Sequence, residues 1–192
     1  MARPVAPRGR GRERVLGAAL SLFAEHGVSG TSLHMIAEAL GVTKAAVYHQ
    51  FRTKEELVLA VLRPVGDEIT AFMDAAEGCP DGPERLDAVV VGLVDLVSHH
   101  RRLTAVLRGD PAVGRLMRTH EPWRSLTPRV ARALLGAAPD PARRVAVSMI
   151  GAGLMLSGVE PQLAGLDDAT LHRELLRSAR LLLGLPAPAG SA

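Results

Sequence analysis

The sequence predicts an all-α fold, an N-terminal three-helix unit of helix-turn-helix type followed by a larger helical body. Three observations carry that prediction. Apolar residues recur at three- and four-residue spacing through most of the 192 positions, and an apolar content of 47% with few aromatics is the composition of packed Leu, Val and Ala helices. The stretch from Leu33 to Arg52, LHMIAEALGVTKAAVYHQFR, reads as a short helix, a glycine stop and a second short helix. Charge is unevenly placed: residues 1–54 hold eight Lys or Arg against three Asp or Glu, whereas residues 55–192 hold fifteen against seventeen. A basic head on a slightly acidic body suits a head that meets phosphates and a body that meets itself and a small molecule.

Residues 1–9 lack apolar periodicity and are expected to form a mobile basic arm, with Arg3, Arg8 and the adjoining Arg10 available to a nucleic-acid backbone or minor groove. The first helix is expected over Arg10 to Glu25, its stripe formed by Val15, Ala18, Ala19, Leu22 and Phe23 and its end set by Gly27. Thr31 or Ser32 caps the second helix, Leu33 to Leu40, in which Met35, Ile36, Ala39 and Leu40 keep helical spacing and the small Ala37 permits close packing. Gly41 stops it in the left-handed conformation, and Val42 is expected to tuck into the crevice between the helices. Thr43 caps the third helix, Lys44 to Phe51, with Val47 and Phe51 inward and Lys44, Ala45, Tyr48 and His49 outward. Thr53 to Glu56 forms a capping box that opens a fourth helix, Lys54 to Ala76. Pro64 interrupts that helix and predicts a bend between Arg63 and Gly66.

These residues carry a resemblance. The helix-one pattern around Ala18, Leu22, Phe23 and Gly27, the Thr31-Ser32 pair, Ile36-Ala37, Gly41-Val42-Thr43, and the ending Tyr48-x-x-Phe51-x-Thr53-Lys54-Glu55 together resemble the DNA-binding domain of the TetR family of bacterial transcriptional regulators, from about Arg12 to Leu57. Two positions depart from the family pattern: Gln50 stands where histidine or an aromatic is common, and Ala45 where glycine is common. The resemblance implies a homodimeric regulator of a double-stranded DNA operator, most simply a repressor released by a small-molecule ligand held in the C-terminal helices. A ligand-independent regulator, or one controlled by a protein partner, is the alternative.

The chemistry of the head fits that implication. A helix N-terminus presents unpaired N–H groups, so a phosphate there is met by the backbone and by Thr31, Ser32 or His34. Thr43, Lys44, Tyr48 and Lys54 are phosphate candidates, Lys44 also a guanine-edge candidate, His49 the outward group facing bases and Ala45 a contact for a thymine methyl. The expected interface is thus Ser32, His34, Thr43, Lys44, Ala45, Tyr48, His49 and Lys54.

Beyond the break at Glu77 to Pro83 the body reads as successive helices: Pro83 to His100, a short Leu103 to Arg108, Pro111 to His120 with Trp123 to Leu135 as one broken helix or two, Pro141 to Val159, and Asp168 to Leu183. Asp110-Pro111 and Asp140-Pro141 place proline at the first helical position after an acidic cap. Val145 to Val159 holds no charge and must be covered, so the last two helices are the expected dimer surface, with Gly151, Gly153, Ser157 and Gly158 allowing close approach and Leu171, Leu175, Ala179 and Leu182 forming a seam. A ligand pocket between helices would be lined by Met117, His120, Trp123, Met149 and Met155, with His99, His100 and Arg108 as polar anchors.

Other classes fit poorly. A single cysteine, Cys79, excludes an intrachain disulfide framework, and without a secretory leader the chain reads as cytoplasmic, meeting the nucleoid when DNA-bound. The uncharged run is shorter than the roughly 20 residues of a membrane span. Adjacent His99 and His100 point about 100° apart on a helix and lack further ligands at metal spacing, so no metal is expected. Gly151-Ala152-Gly153 lacks the strand context of a dinucleotide site, and no cofactor or catalytic constellation stands out. The organisation expected is an arm at 1–9, a helix-turn-helix domain at 10–54, a regulatory and dimerisation domain at 55–185 and a disordered tail at 186–192.

Overall fold

The computed structural model describes residues 10–101, 103, 110–157 and 160–186; the arm at 1–9, the tail from 187 onward, and the short helix expected at Leu103 to Arg108 apart from Leu103 itself lie outside the described residues. Among the described residues the regular structure is helical, without a strand. The helices are α1 (Arg10–Gly30), α2 (Leu33–Leu40), α3 (Lys44–Gln50), α4 (Lys54–Glu77), α5 (Pro83–His99), α6 (Pro111–Thr119), α7 (Trp123–Leu135), α8 (Pro141–Ser157) and α9 (Asp168–Leu182), with a 3₁₀ turn at Pro161–Leu163. The chain forms two compact units, Met1–Pro64 with Val106–Arg118, and Val65–Ala105 with Thr119–Ala192. The division falls inside α4, after Pro64, whereas the helix-turn-helix itself closes near residue 54.

In the first unit, Val15, Ala19 and Phe23 of α1, Ile36 and Ala37 of α2, Val47 of α3 and the following Phe51 are buried together with Leu57 and Val58. Gly27 breaks α1, as expected, but the chain resumes helical geometry for one more turn to Gly30. Ser32 accepts a hydrogen bond from the Met35 N–H and Thr43 one from the Ala46 N–H, each at 3.2 Å, so both predicted caps form. Gly41 adopts φ 63°, and the pair of bonds from Gly41 N–H to Glu38 O and from Val42 N–H to Ala37 O, both 3.0 Å, closes α2 with a Schellman turn that a β-carbon would strain. One expectation fails here. Val42 remains 37% exposed and does not tuck between the helices.

The capping box of α4 closes with a one-residue shift: Thr53 Oγ1 accepts from Glu56 N–H at 3.0 Å, and the Glu56 carboxylate accepts from Arg52 N–H, at 2.9 Å. Pro64 does not interrupt α4, which runs from Lys54 to Glu77 with the proline inside. The ring removes one backbone bond, but its fixed φ is helical, so the helix persists where neighbouring turns hold it.

The second unit packs α4 beyond Pro64, α5, α7, α8 and α9 around Met73, Val89, Val90, Val94, Ile150 and Leu154. Gly92 is required where α5 crosses α4: a β-carbon there would lie 2.7 Å from Phe72 Cδ2. Ion pairs bind the helices at their edges, Arg180 to Asp87 at 2.6 and 2.8 Å and Arg129 to Glu77 and Asp74 at 2.6 and 2.7 Å. The segment around Glu121-Pro122 separates two helices, α6 and α7. Asp110, Asp140 and Asp167 each accept an N–H bond from the first turn that follows, at 2.9, 2.7 and 2.9 Å, as the Asp-Pro pattern predicts for the first two. The predicted seam on the last helix is corrected: Leu171 and Ala179 are buried and Leu175 packs on the same unit's core, leaving Leu182 of that set exposed.

Candidate nucleic-acid interface

The exposed side of α3 is fixed by what its other side buries. Val47 and Phe51 are fully buried, and in a helix of 3.6 residues per turn this turns Lys44, Ala45, Tyr48 and His49 to solvent, where all four are found. The Lys44 amine sits 5.4 Å from the Tyr48 ring centroid, a cation–π contact that holds the charge and the phenol on one surface. Thr43 at the N-terminus of α3 and Ser32 at that of α2 are exposed, each engaged as a cap. His34 is exposed and lies 3.5 Å from Glu38 one turn on, which offsets its charge when protonated.

Two residues differ from expectation. Thr31 is 2% exposed and donates its hydroxyl to Gly27 O at 2.8 Å and Leu22 O at 3.2 Å, tying down the kinked end of α1; it has no face for a phosphate. The Lys54 amine is half-buried and donates to Val28 O and Ser29 O, at 3.0 and 3.2 Å, so its bonds go to the last turn of α1 and any phosphate must compete with them.

Two further residues support the interface through contacts that local sequence does not show. Arg12 of α1 stacks its guanidinium 4.2 Å from the Phe51 ring centroid and donates to Gln50 O at 3.2 Å, satisfying a carbonyl at the C-terminus of α3. Asp110, at the start of α6, accepts from Ser29 N–H at 2.8 Å and from Ser29 Oγ at 3.0 Å. Burial pushes the Asp110 carboxyl up, but the bonds from Ser29 and Ala112 and the nearby charge of Lys54 outweigh it and hold the group below the ordinary carboxylate value. Both contacts join positions far apart in the chain, so periodicity carries no signal of them.

The residues expected to line a ligand pocket fall as follows among the described ones. Trp123 is 3% exposed and packs against Gly66. Met149 and Met155 lie on the solvent face of α8, His120 is exposed with its Nδ1 3.0 Å from Thr119 Oγ1, and Met117 is a half-buried residue of the first unit. Arg108 is outside the described residues. His99 and His100 both reach Glu68 on α4, at 3.1 and 2.8 Å. Burial raises the Glu68 carboxyl, while the two histidine hydrogen bonds prevail and lower it. Among the described residues no trio of His, Cys, Asp or Glu is placed to hold a metal ion, and no helix is long and apolar enough to cross a membrane. A cleft of about 780 Å³ does open in the second unit, lined by a different set that includes Arg85, Arg129, Arg132 and Arg143.

An N-terminal helix-turn-helix whose third helix turns Lys44, Tyr48 and His49 outward has the geometry of a nucleic-acid-reading head. Residues 15–61 match the family model of the bacterial regulatory proteins, tetR family. The chain is 28% identical over 100 residues to the HTH-type transcriptional repressor KstR2 of Mycobacterium tuberculosis, covering 52% of this chain and 50% of that protein. It is 34% identical over 94 residues to the HTH-type transcriptional activator FasR of Mycolicibacterium smegmatis, covering 48% and 43%. The matched region thus spans about half the length of these curated relatives. The crystal structure of SCO3833 from Streptomyces coelicolor, a member of the TetR transcriptional regulator family, has the same fold, with a TM-score of 0.64 at 24% identity over 97% of this chain and 95% of that one. The head thus resembles the DNA-binding domain of tetR-family proteins, and the whole chain shares the fold of a solved member of that family.

Proposed function

We propose that the chain works as a homodimeric repressor that reads an operator through α3 and leaves it when a small molecule binds the second unit. The single observation that carries the reading is the outward quartet Lys44, Ala45, Tyr48 and His49, held in place by fully buried Val47 and Phe51. In a major groove, Lys44 and Tyr48 would take phosphates, His49 base edges and Ala45 a thymine methyl, while Thr43, Ser32 and His34 would meet the backbone at the two helix N-termini. Ligand control requires that the effector prefer a state with lower DNA affinity, and its effect is bounded by that preference. The open cleft in the second unit supports ligand control over control by a protein partner.

Dimerisation through α8 and α9 is supported by an outward apolar set: Val145 and Met149 are 58% and 55% exposed on α8 and Leu181 is 78% exposed on α9. A one-helix reader of a half-site gains affinity and operator symmetry from such pairing. The test is selection of bound sequences from random DNA followed by a mobility-shift titration. Enrichment of a two-fold symmetric site is the expected result; recovery of no preferred sequence overturns the proposal.

A further inference from the structure

The cleft in the second unit has a composition that points to a ligand class. It opens where α4 ends, α5 begins, and α7 and α9 terminate. Its floor is apolar: Leu86, Ala133 and Leu185 pack on the core there, and Leu183 is part of that core. Its wall carries four arginines, Arg85, Arg129, Arg132 and Arg143, against the two carboxylates Glu77 and Asp81.

Three of these guanidiniums are occupied by the fold. Arg143 donates to Leu134 O at 2.7 Å and Leu183 O at 3.3 Å, and Arg85 donates to Cys79 O at 2.6 Å while pairing with Asp81. Those bonds quench carbonyls at the ends of α7 and α9 and just beyond α4, the partial negative charge that would otherwise repel an anion from this place. Arg129 is taken by Glu77 and Asp74. Arg132 is different. It follows Arg129 by three residues and so shares its face of α7, it is exposed, and among the described residues it donates no hydrogen bond and sits in no ion pair. Glu77, which feels its charge through space, is already bound by Arg129. An unengaged guanidinium beside an apolar floor, on a wall stiffened by its bonded neighbours, is a preorganised receptor for an oxyanion that carries an apolar body. A bare inorganic anion would forfeit the floor, and a neutral lipid would forfeit the guanidinium.

We propose that this cleft binds a small amphipathic oxyanion, a carboxylate or phosphate monoester, with its head on Arg132 and its apolar part on Leu86, Ala133 and Leu185. The role of that ligand as effector rests on the ligand-controlled repressor proposed above; its binding does not. The test titrates the full chain with anilinonaphthalene sulfonate as a fluorescent probe, then competes it with decanoate, decyl phosphate, decanol or inorganic phosphate. One saturable site per chain is expected, displaced by decanoate or decyl phosphate at concentrations at least about tenfold below those needed with decanol or inorganic phosphate; the better of the first two identifies the head group. Arg132→Ala weakens decanoate or decyl phosphate binding about tenfold, the worth of one charge-assisted hydrogen bond. Arg132→Glu abolishes it, and Arg132→Lys keeps part of it, with unchanged melting temperatures because the position is exposed. Probe binding that ignores Arg132→Glu, or equal displacement by decanol and decanoate, overturns the proposal. Mobility shift separates the two ideas: anion binding in the cleft without any change in operator affinity removes the effector role and leaves the site standing.

Discussion

Lys44 and Arg12 are both cationic and both adjoin α3, yet they serve the interface differently. Lys44 is exposed, so its amine is free to neutralise a phosphate and release a counterion on DNA binding. Lys44→Ala is therefore expected to lower the slope of log K against log salt by about 0.9, the share of one phosphate that is no longer neutralised, measured by titration between low and moderate salt. Arg12 instead spends its guanidinium on Phe51 and Gln50 O. Arg12→Ala is expected to weaken operator binding by roughly fivefold, about 1 kcal/mol of stacking and capping removed, with the salt slope unchanged. A slope that falls as it does for Lys44→Ala would make Arg12 a phosphate ligand rather than a support for α3. Lys44 is legible in the sequence because its role depends only on position along one helix. Arg12 is not, since its partners lie 38 residues away.

Among the elements, α6 shows most directly how a local signal acquires a second use. Asp110 caps α6 as Asp-Pro predicts, and the same carboxylate also holds Ser29 in the last turn of α1, 81 residues away. Asp110→Ala is expected to cost about 1–2 kcal/mol, read as a lower denaturation midpoint, because the cap and the bonds to Ser29 disappear together. The pH dependence has a definite sign. The folded carboxyl titrates below its unfolded value of about 3.9, so its contribution is complete above that pH and disappears as pH falls through the folded value. Glu68 has the same sign. Melting temperature should therefore drop on acidification below about pH 4, and Asp110→Asn, which keeps a cap but not the charge, should flatten that drop. A variant that melts in parallel with the parent across this range would exclude the linkage. Within α4, the interruption expected at Pro64 does not occur because proline's cost in a helix is a local rule, whereas persistence of the helix is decided by the turns and packing around it.

At the scale of the whole molecule the proposed dimer rests on the exposed apolar face of α8. Met149→Glu places a carboxylate where 55% of the side chain is exposed, so the folded subunit tolerates it, while a symmetric interface would meet two buried unpaired charges. Sedimentation should shift from dimer to monomer, and operator affinity should fall by more than about tenfold. An unchanged dimer would move the interface away from this face.

The sequence by itself determined the helices, their caps at Ser32, Thr43, Asp110 and Asp140, the stop at Gly41 and the outward quartet on α3. All of these follow from interactions spanning at most about one turn, which spacing and residue type encode directly. Only the tertiary structure decided that Thr31 is buried, that Lys54 is tied to Val28 and Ser29, that Leu171 and Ala179 belong to their own unit's core, and that Arg132 faces an open cleft with no bonded partner among the described residues. Each of these depends on which distant segment arrives beside the residue, and that is set by the packing of the whole chain rather than by any local pattern.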